Sequence, residues 1–179
     1  MGMPERYVQE HNNWGPEFGA DEIEETLQRY KLNYEHHEDI AGVAAEMISK
    51  GALVGWFQGR MEFGQRALGH RSILADPRDI RSKELVNAAV KYRESFRPFA
   101  PSVLQHRVSE YFDMREGQPS PYMLLVAPVQ GDKLLDTEDL GEKGLDKLKQ
   151  LRSVVPAITH VDNSARVQTV DPRRSPRFY

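Results

Sequence analysis

The sequence predicts a mixed α/β (α+β) domain, and three observations predict it. Short apolar runs of strand length alternate with segments of helical periodicity. Glycines and prolines punctuate the junctions, and 179 residues leave room for one core of ordinary size. Forty-two residues are Leu, Val, Phe or Ile, about 23% of the chain, which is enough apolar material to bury. No stretch approaches the roughly 18 apolar residues of a membrane span. Met1–Arg6 has no apolar signal region and the chain has no cysteine, so a soluble, cytoplasmic protein without disulfides or thiolate metal sites is expected.

Residues 1–19 are polar and aromatic without periodicity, as an arm or linker would be, with Trp14-Gly15-Pro16 reading as a turn. Ile23, Leu27 and Tyr30 follow an acidic first turn at helical spacing. Ile40, Val43, Ala44, Met47 and Ile48 repeat the pattern up to Gly51, which stops the second helix. Ala52–Phe57 is too short and too apolar for anything but a buried strand. After a glycine-rich loop, Ser72–Ala75 is a second strand, ended by Asp76-Pro77. A third helix is expected over about Ile80–Tyr92 with Leu85, Ala89 and Val90 inward. Ser95–Ser102 carries two prolines and is extended, and a short helix covers about Gln105–Phe112. Tyr122–Val129, Ala157–Val161 and Ala165–Val170 read as strands, the last two joined by a hairpin at Asp162-Asn163-Ser164. Between them Gly131–Ser153 is a charged insertion with one surface helix marked by Leu145, Leu148 and Leu151.

The formal charge is −3, yet between Arg60 and Arg107 eight Arg and two Lys face five acids. A generally basic nucleic-acid coat is excluded, and a local anion site is not. Within that segment Gly59, Gly64 and Gly69 are spaced five apart and interleaved with Arg60, Arg66 and Arg71. Glycines let backbone N–H groups turn toward an anion and guanidinium forks pair with its oxygens, so the combination reads as an oxyanion cradle. The alternative is that these arginines are solvated or pair with Glu62, Asp76 and Asp79. Gln65-Arg66 stands where a nucleotide P-loop needs Lys and Ser or Thr, so that motif is rejected. Lys91, Arg93 and Arg97 form a second basic group, with Arg97 stiffened by Pro98 and Pro101. Arg166 projects beside Val167 and Val170. The six histidines lack ligand spacing and no metal is expected in this chain. His70 either donates to the oxyanion or bonds to backbone, and Ser72 lacks the context of a hydrolase nucleophile.

Three blocks, Gly55–Arg78, Lys91–Ser102 and His160–Val170, closely resemble the C-terminal domain of the O-carbamoyltransferases that modify nodulation factors and antibiotics. The resemblance runs from about Gly15 to the end. It implies a YrdC-like domain over 20–179, a twisted mixed sheet flanked by helices, that uses ATP and carbamoyl phosphate to make carbamoyl adenylate. It further implies a larger N-terminal domain of kinase-like fold, carrying a metal, that passes the carbamoyl group to a substrate hydroxyl. By motif position Arg66, Arg71, Lys91, Arg97 and Arg166 are the phosphate-binding cations, with Arg60 beside them and Lys91 and Arg71 nearest the chemistry. ATP is a substrate, with Mg²⁺ entering alongside it. Family members usually have Pro at Gln65 and often Asn at His70, and continue past Tyr179 into a segment like Asn-Thr-Ser-Phe-Asn, so the chain is expected to be cut at its C-terminus. Phosphoryl chemistry depends on holding repelling phosphates in line, which suits cations better than a nucleophile.

Two other readings compete. A basic-surface RNA-binding module would need stacking partners, and Phe57, Phe63, Phe96 and Phe99 are expected to pack in the core instead. An interface piece would dock onto the N-terminal domain or a second copy of the chain through exposed apolar surface.

Overall fold

In the computed structural model, residues 9–92, 94, 97–136 and 150–179 are described, with side chains other than those of Ala89 and Lys91. They divide into two compact units, 1–36 with 56–72 and 37–55 with 73–179. The expected surface helix at Leu145 and Leu148 lies outside the described residues; Leu151, at its margin, is exposed.

In the first unit, α1 (Ala20–Arg29) places Asp21 and Glu22 in its first turn and Arg29 in its last, each matched to the macrodipole. It buries none of its residues, so its amphipathic pattern is present but uncovered. The arm before it is tied down. Phe63 N–H donates to Asn12 O at 2.6 Å, Gly15 N–H to Met61 O at 2.9 Å and Met61 N–H to Pro16 O at 3.0 Å. Trp14-Gly15-Pro16 thus runs along the loop at Met61–Phe63.

In the second unit, α2 (Ile40–Ser49) starts at Asp39, whose carboxylate accepts the Gly42 N–H at 2.9 Å, and stops at Lys50-Gly51, where Gly51 takes φ 91°. Strands β1 (Val54–Phe57) and β2 (Arg71–Leu74), whose residues fall partly in each unit, form a two-stranded sheet. Helix α3 (Ile80–Val86) is capped by the Asp79 carboxylate and widens into an i→i+5 turn over Asn87–Lys91, ended by Tyr92 in the left-handed region at φ 47°, ψ 49°. The sequence places Leu85 and Val90 inward, but they are exposed, and Ser82, Lys83 and Val86 are buried. A polar Ser-Lys pair on the buried face defeats an argument from apolar periodicity.

The main sheet is mixed, in the order β3-β5-β4. Strand β3 (Ser102–Leu104) runs parallel to β5 (Ser164–Val170), with Ser102 opposite Gln168. Strand β4 (Leu125–Pro128) runs antiparallel to β5, with Val126 opposite Arg166. A 3₁₀ turn at Gln105–Arg107 leads into α4 (Val108–Tyr111), and Val108 and Phe112 pack with Ala127, Val129, Val155, Ile158, Ala165 and Val167 into the core. Two polar residues of β5 accept hydrogen bonds from its surroundings: Ser102 Oγ donates to Gln168 Oε1 at 3.0 Å and Ser120 N–H to Thr169 Oγ1 at 2.7 Å. β4 begins later than the sequence suggests because Met123 adopts φ 57°, which breaks an extended run.

Ala157–Val161 is not a strand. Ala157 and Ile158 are buried, as their apolarity demands, but their backbone serves turns: Ala157 N–H donates to Pro77 O and Ile158 N–H to Val155 O. The expected hairpin is therefore a turn opening β5, in which Asp162 accepts from both the N–H and the hydroxyl of Ser164.

Candidate phosphate-binding site

The glycine loop lies in the first unit. Gly59, Gly64 and Gly69 all take positive φ, at 44°, 147° and 104°, so the loop turns at the three points where side chains are absent. Its amides do not stand open. Glu62, buried to 6% exposure, accepts the N–H of Leu68 at 2.5 Å and of His70 at 2.8 Å through one carboxylate oxygen, while Ser72 Oγ accepts the Gly69 N–H at 2.9 Å. Three consecutive N–H groups are held by side chains, so the loop offers an anion its guanidinium groups rather than these amides.

Arg71 spans the loop. Its guanidinium donates to the carbonyls of Gln58 at 2.7 Å and His70 at 2.9 Å through Nη1, and of Gly59 at 2.9 Å through Nη2, while lying 3.6 Å over the Phe57 ring. No carboxylate among the described residues pairs with it. Arg66 is partly exposed and makes no hydrogen bond or ion pair among the described residues. Arg60 meets Glu17 of the arm at 3.5 Å, a loose contact between exposed groups. His70 is buried and its ring meets a side chain. Asn13 Nδ2 lies 3.1 Å from its Nε2, and because an amide NH₂ only donates, Nε2 is the acceptor. Phe57 and Phe63 are exposed, at 54% and 76%, against the expected core packing; Phe99 does pack on the core, and Phe96 lies outside the described residues.

Lys91, Arg97 and Arg166 belong to the second unit. Lys91 ends the widened turn after α3, and its side chain lies outside the description. Arg97 is exposed and pairs with Glu94 at 2.9 Å. Arg166 is half-buried on β5 between Ala165 and Val167, both fully buried. Beside Pro98 is a cavity of about 200 Å³ lined by polar Lys83, Arg152, Thr159 and His160. Lys83 is a buried ammonium, and burial pushes its pKa below the usual lysine range.

Much of the basic excess is neutralised locally. Asp76 clasps Arg78, accepting its backbone N–H and its guanidinium, and Asp79 clasps Arg81 in the same Asp-x-Arg geometry. The Arg78 guanidinium holds the Asp76 carboxyl below the ordinary carboxylate range. Arg107 pairs with Glu110 at 2.7 Å. Asp76 and Asp79 thus serve Arg78 and Arg81 and leave the cradle arginines alone.

The sequence pattern described as the carbamoyltransferase C-terminus matches residues 45–179, a span that holds Arg60, Arg66, Arg71, Lys91, Arg97 and Arg166. The chain belongs to the carbamoyltransferase C-terminus family. It is 51% identical over 171 residues to an uncharacterized protein of Synechocystis, covering 92% of this chain and 28% of that one. It is 42% identical over 170 residues to the nodulation protein NolO of Bradyrhizobium diazoefficiens, covering 93% and 28%. It is 31% identical over 172 residues to the 3'-hydroxymethylcephem-O-carbamoyltransferase of Amycolatopsis lactamdurans, covering 94% and 28%. The chain therefore spans little over a quarter of the length of these relatives. No helix among the described residues is long and apolar enough to cross a membrane.

Glu62, Asn13 and Asn87 escape the sequence reading. An acid inside an arginine-rich loop looks like a counter-ion, and nothing local reveals that its partners are amides six and eight residues on. Asn13 and His70 are 57 residues apart.

Proposed function

We propose that the chain is the part of an O-carbamoyltransferase that binds carbamoyl phosphate and ATP and joins them into carbamoyl adenylate. The observation that carries this is family membership across the span holding Arg60, Arg66, Arg71, Lys91, Arg97 and Arg166. Arg66 and Arg71, cations without a carboxylate partner among the described residues, support it. The roles are those the family resemblance implies by motif position, and positive charge suits them. Arg66, Arg71, Lys91, Arg97 and Arg166 hold phosphate oxygens, Arg60 stands beside them, and Arg71 and Lys91 meet the charge that develops as phosphate leaves. Atoms balance when water releases phosphate from carbamoyl phosphate and the resulting carbamate oxygen displaces pyrophosphate from the α-phosphorus of ATP. The carbamoyl group then passes to a substrate hydroxyl in a longer enzyme.

Calorimetric titration with ATP and with carbamoyl phosphate tests the reading, with a short RNA as control. Saturable binding of both, lost about tenfold on Arg71→Ala or Lys91→Ala in folded protein, supports it. The exposed Phe57 and Phe63 rings give the RNA control its purpose. Tighter, steeply salt-dependent binding of RNA than of ATP replaces the enzyme reading with a binding module.

A further inference from the structure

Asn87 is 1% exposed, one of the most deeply buried polar side chains described. It stands where α3 gives way to the widened turn that ends at Lys91. Its backbone carbonyl accepts the N–H of Tyr92, immediately after Lys91, and its side-chain Nδ2 donates to the carbonyl of Arg97 at 3.0 Å. One residue is thus bonded to the chain on both sides of the segment between the two cations.

The backbone there departs twice from what it would adopt unaided. The turn is wider than an α-helix, and Tyr92 is left-handed, a conformation that is unfavourable for a bulky L-residue. Such a conformation persists when neighbours over-determine it, and Asn87 supplies both the carbonyl that closes the turn and an amide that holds the chain again at Arg97. The amide donor has a definite receiver: the Arg97 carbonyl belongs to the residue whose guanidinium lies outward, beside Glu94.

We infer that Asn87 is a positioning residue that sets the backbone separation of Lys91 and Arg97, the two residues of this stretch to which the proposed function gives phosphate-binding roles. The inference rests on the proposed function above. It assigns Asn87 no contact with substrate; its effect passes through the backbone of the two cationic residues.

Carbamoyl phosphate is titrated into the whole chain and into Asn87→Asp, Arg97→Ala and the double variant, each checked by thermal melting. Asn87→Asp keeps the shape, removes the amide donor and sets a carboxylate against the Arg97 carbonyl. The expected result is an affinity about tenfold weaker, as for Arg97→Ala, with the double variant no worse than either single, because both changes act at one position. Asn87→Ser, which retains a donor, recovers part of the affinity, and it carries the comparison if Asn87→Asp does not fold. Full affinity in folded Asn87→Asp, or losses that multiply in the double variant, overturns the positioning role while Arg97→Ala upholds the site. No binding by the unaltered chain, or no effect of Arg97→Ala, overturns the reading of the site and the inference with it.

Discussion

The guanidinium of Arg71 lies 3.6 Å above the centroid of the Phe57 ring, while its Nη atoms bridge the carbonyls of Gln58, Gly59 and His70. A planar fork can do both at once and an ammonium cannot. Arg71→Lys is therefore expected to loosen the loop and to weaken carbamoyl phosphate binding by about tenfold despite the conserved charge. Calorimetry checks it, and an unchanged affinity would show that charge alone matters. Phe57→Leu is expected to cost only about 0.5–1 kcal/mol of stability, the worth of an exposed cation–π contact.

Glu62 holds the Leu68 and His70 amides in a buried setting. Glu62→Ala leaves both donors without that acceptor and should destabilise by about 3 kcal/mol, whereas Glu62→Gln keeps an acceptor and should lose about 1 kcal/mol. Urea unfolding distinguishes the two. Equal losses would show that packing, not hydrogen bonding, is what the side chain supplies.

A Cβ at Gly15 would lie 2.9 Å from both the Cβ and the carbonyl oxygen of Met61. Neither can yield cheaply, so Gly15→Ala is expected to part the arm from the loop. Hydrogen exchange reads this out as faster exchange at the Met61 and Phe63 amides, which donate to Pro16 and Asn12.

Several carboxyls are held below their ordinary range: Asp76 by Arg78, Asp162 by Ser164, and Asp171, down to about 2, by Arg173. A folded pKa below the unfolded value gives stability that is complete above the unfolded value and lost as pH falls through the folded one. The contribution of these carboxyls should be flat above about pH 5 and decline from about pH 4 toward pH 2. Asp171→Asn should shallow that decline modestly, since Arg173 is largely exposed, and about 0.5 M salt should shallow it further. Denaturation midpoints across pH measure it, and an unaltered acid slope in Asp171→Asn would remove the clasp from the account.

For Lys83 the sign is reversed. Burial favours its neutral form in the folded state, so between its lowered pKa and the unfolded value the unfolded chain binds more protons and stability rises with pH. Lys83→Met should maintain or raise the melting temperature near pH 7 and flatten the alkaline rise. A loss of more than about 1 kcal/mol would show that the interactions of the ammonium outweigh its desolvation.

What could be read from sequence was local. Gly51 stops α2, the apolar run Ala165–Val170 marks β5, and the spaced glycines announce a turning loop. Ala157–Val161 misled because a short apolar run is buried whether its backbone joins a ladder or a turn. The inward face of α3 misled because its buried residues include Ser82 and Lys83. In the site, the residue types were readable and their partners were not. Asp76 and Asp79 turn to arginines two residues on, whereas Glu62 reaches amides across the loop and Asn13 meets His70 from the arm.

A loop that carries its own anion is ordered before any ligand arrives. Fixing a backbone residue costs about 1–2 kcal/mol of entropy, and around Leu68–His70 that loss falls on folding, through the Glu62 carboxylate, rather than on association. For a ligand captured by Arg66 and Arg71, the rate is then governed by diffusion and charge attraction instead of by waiting for a rare loop shape.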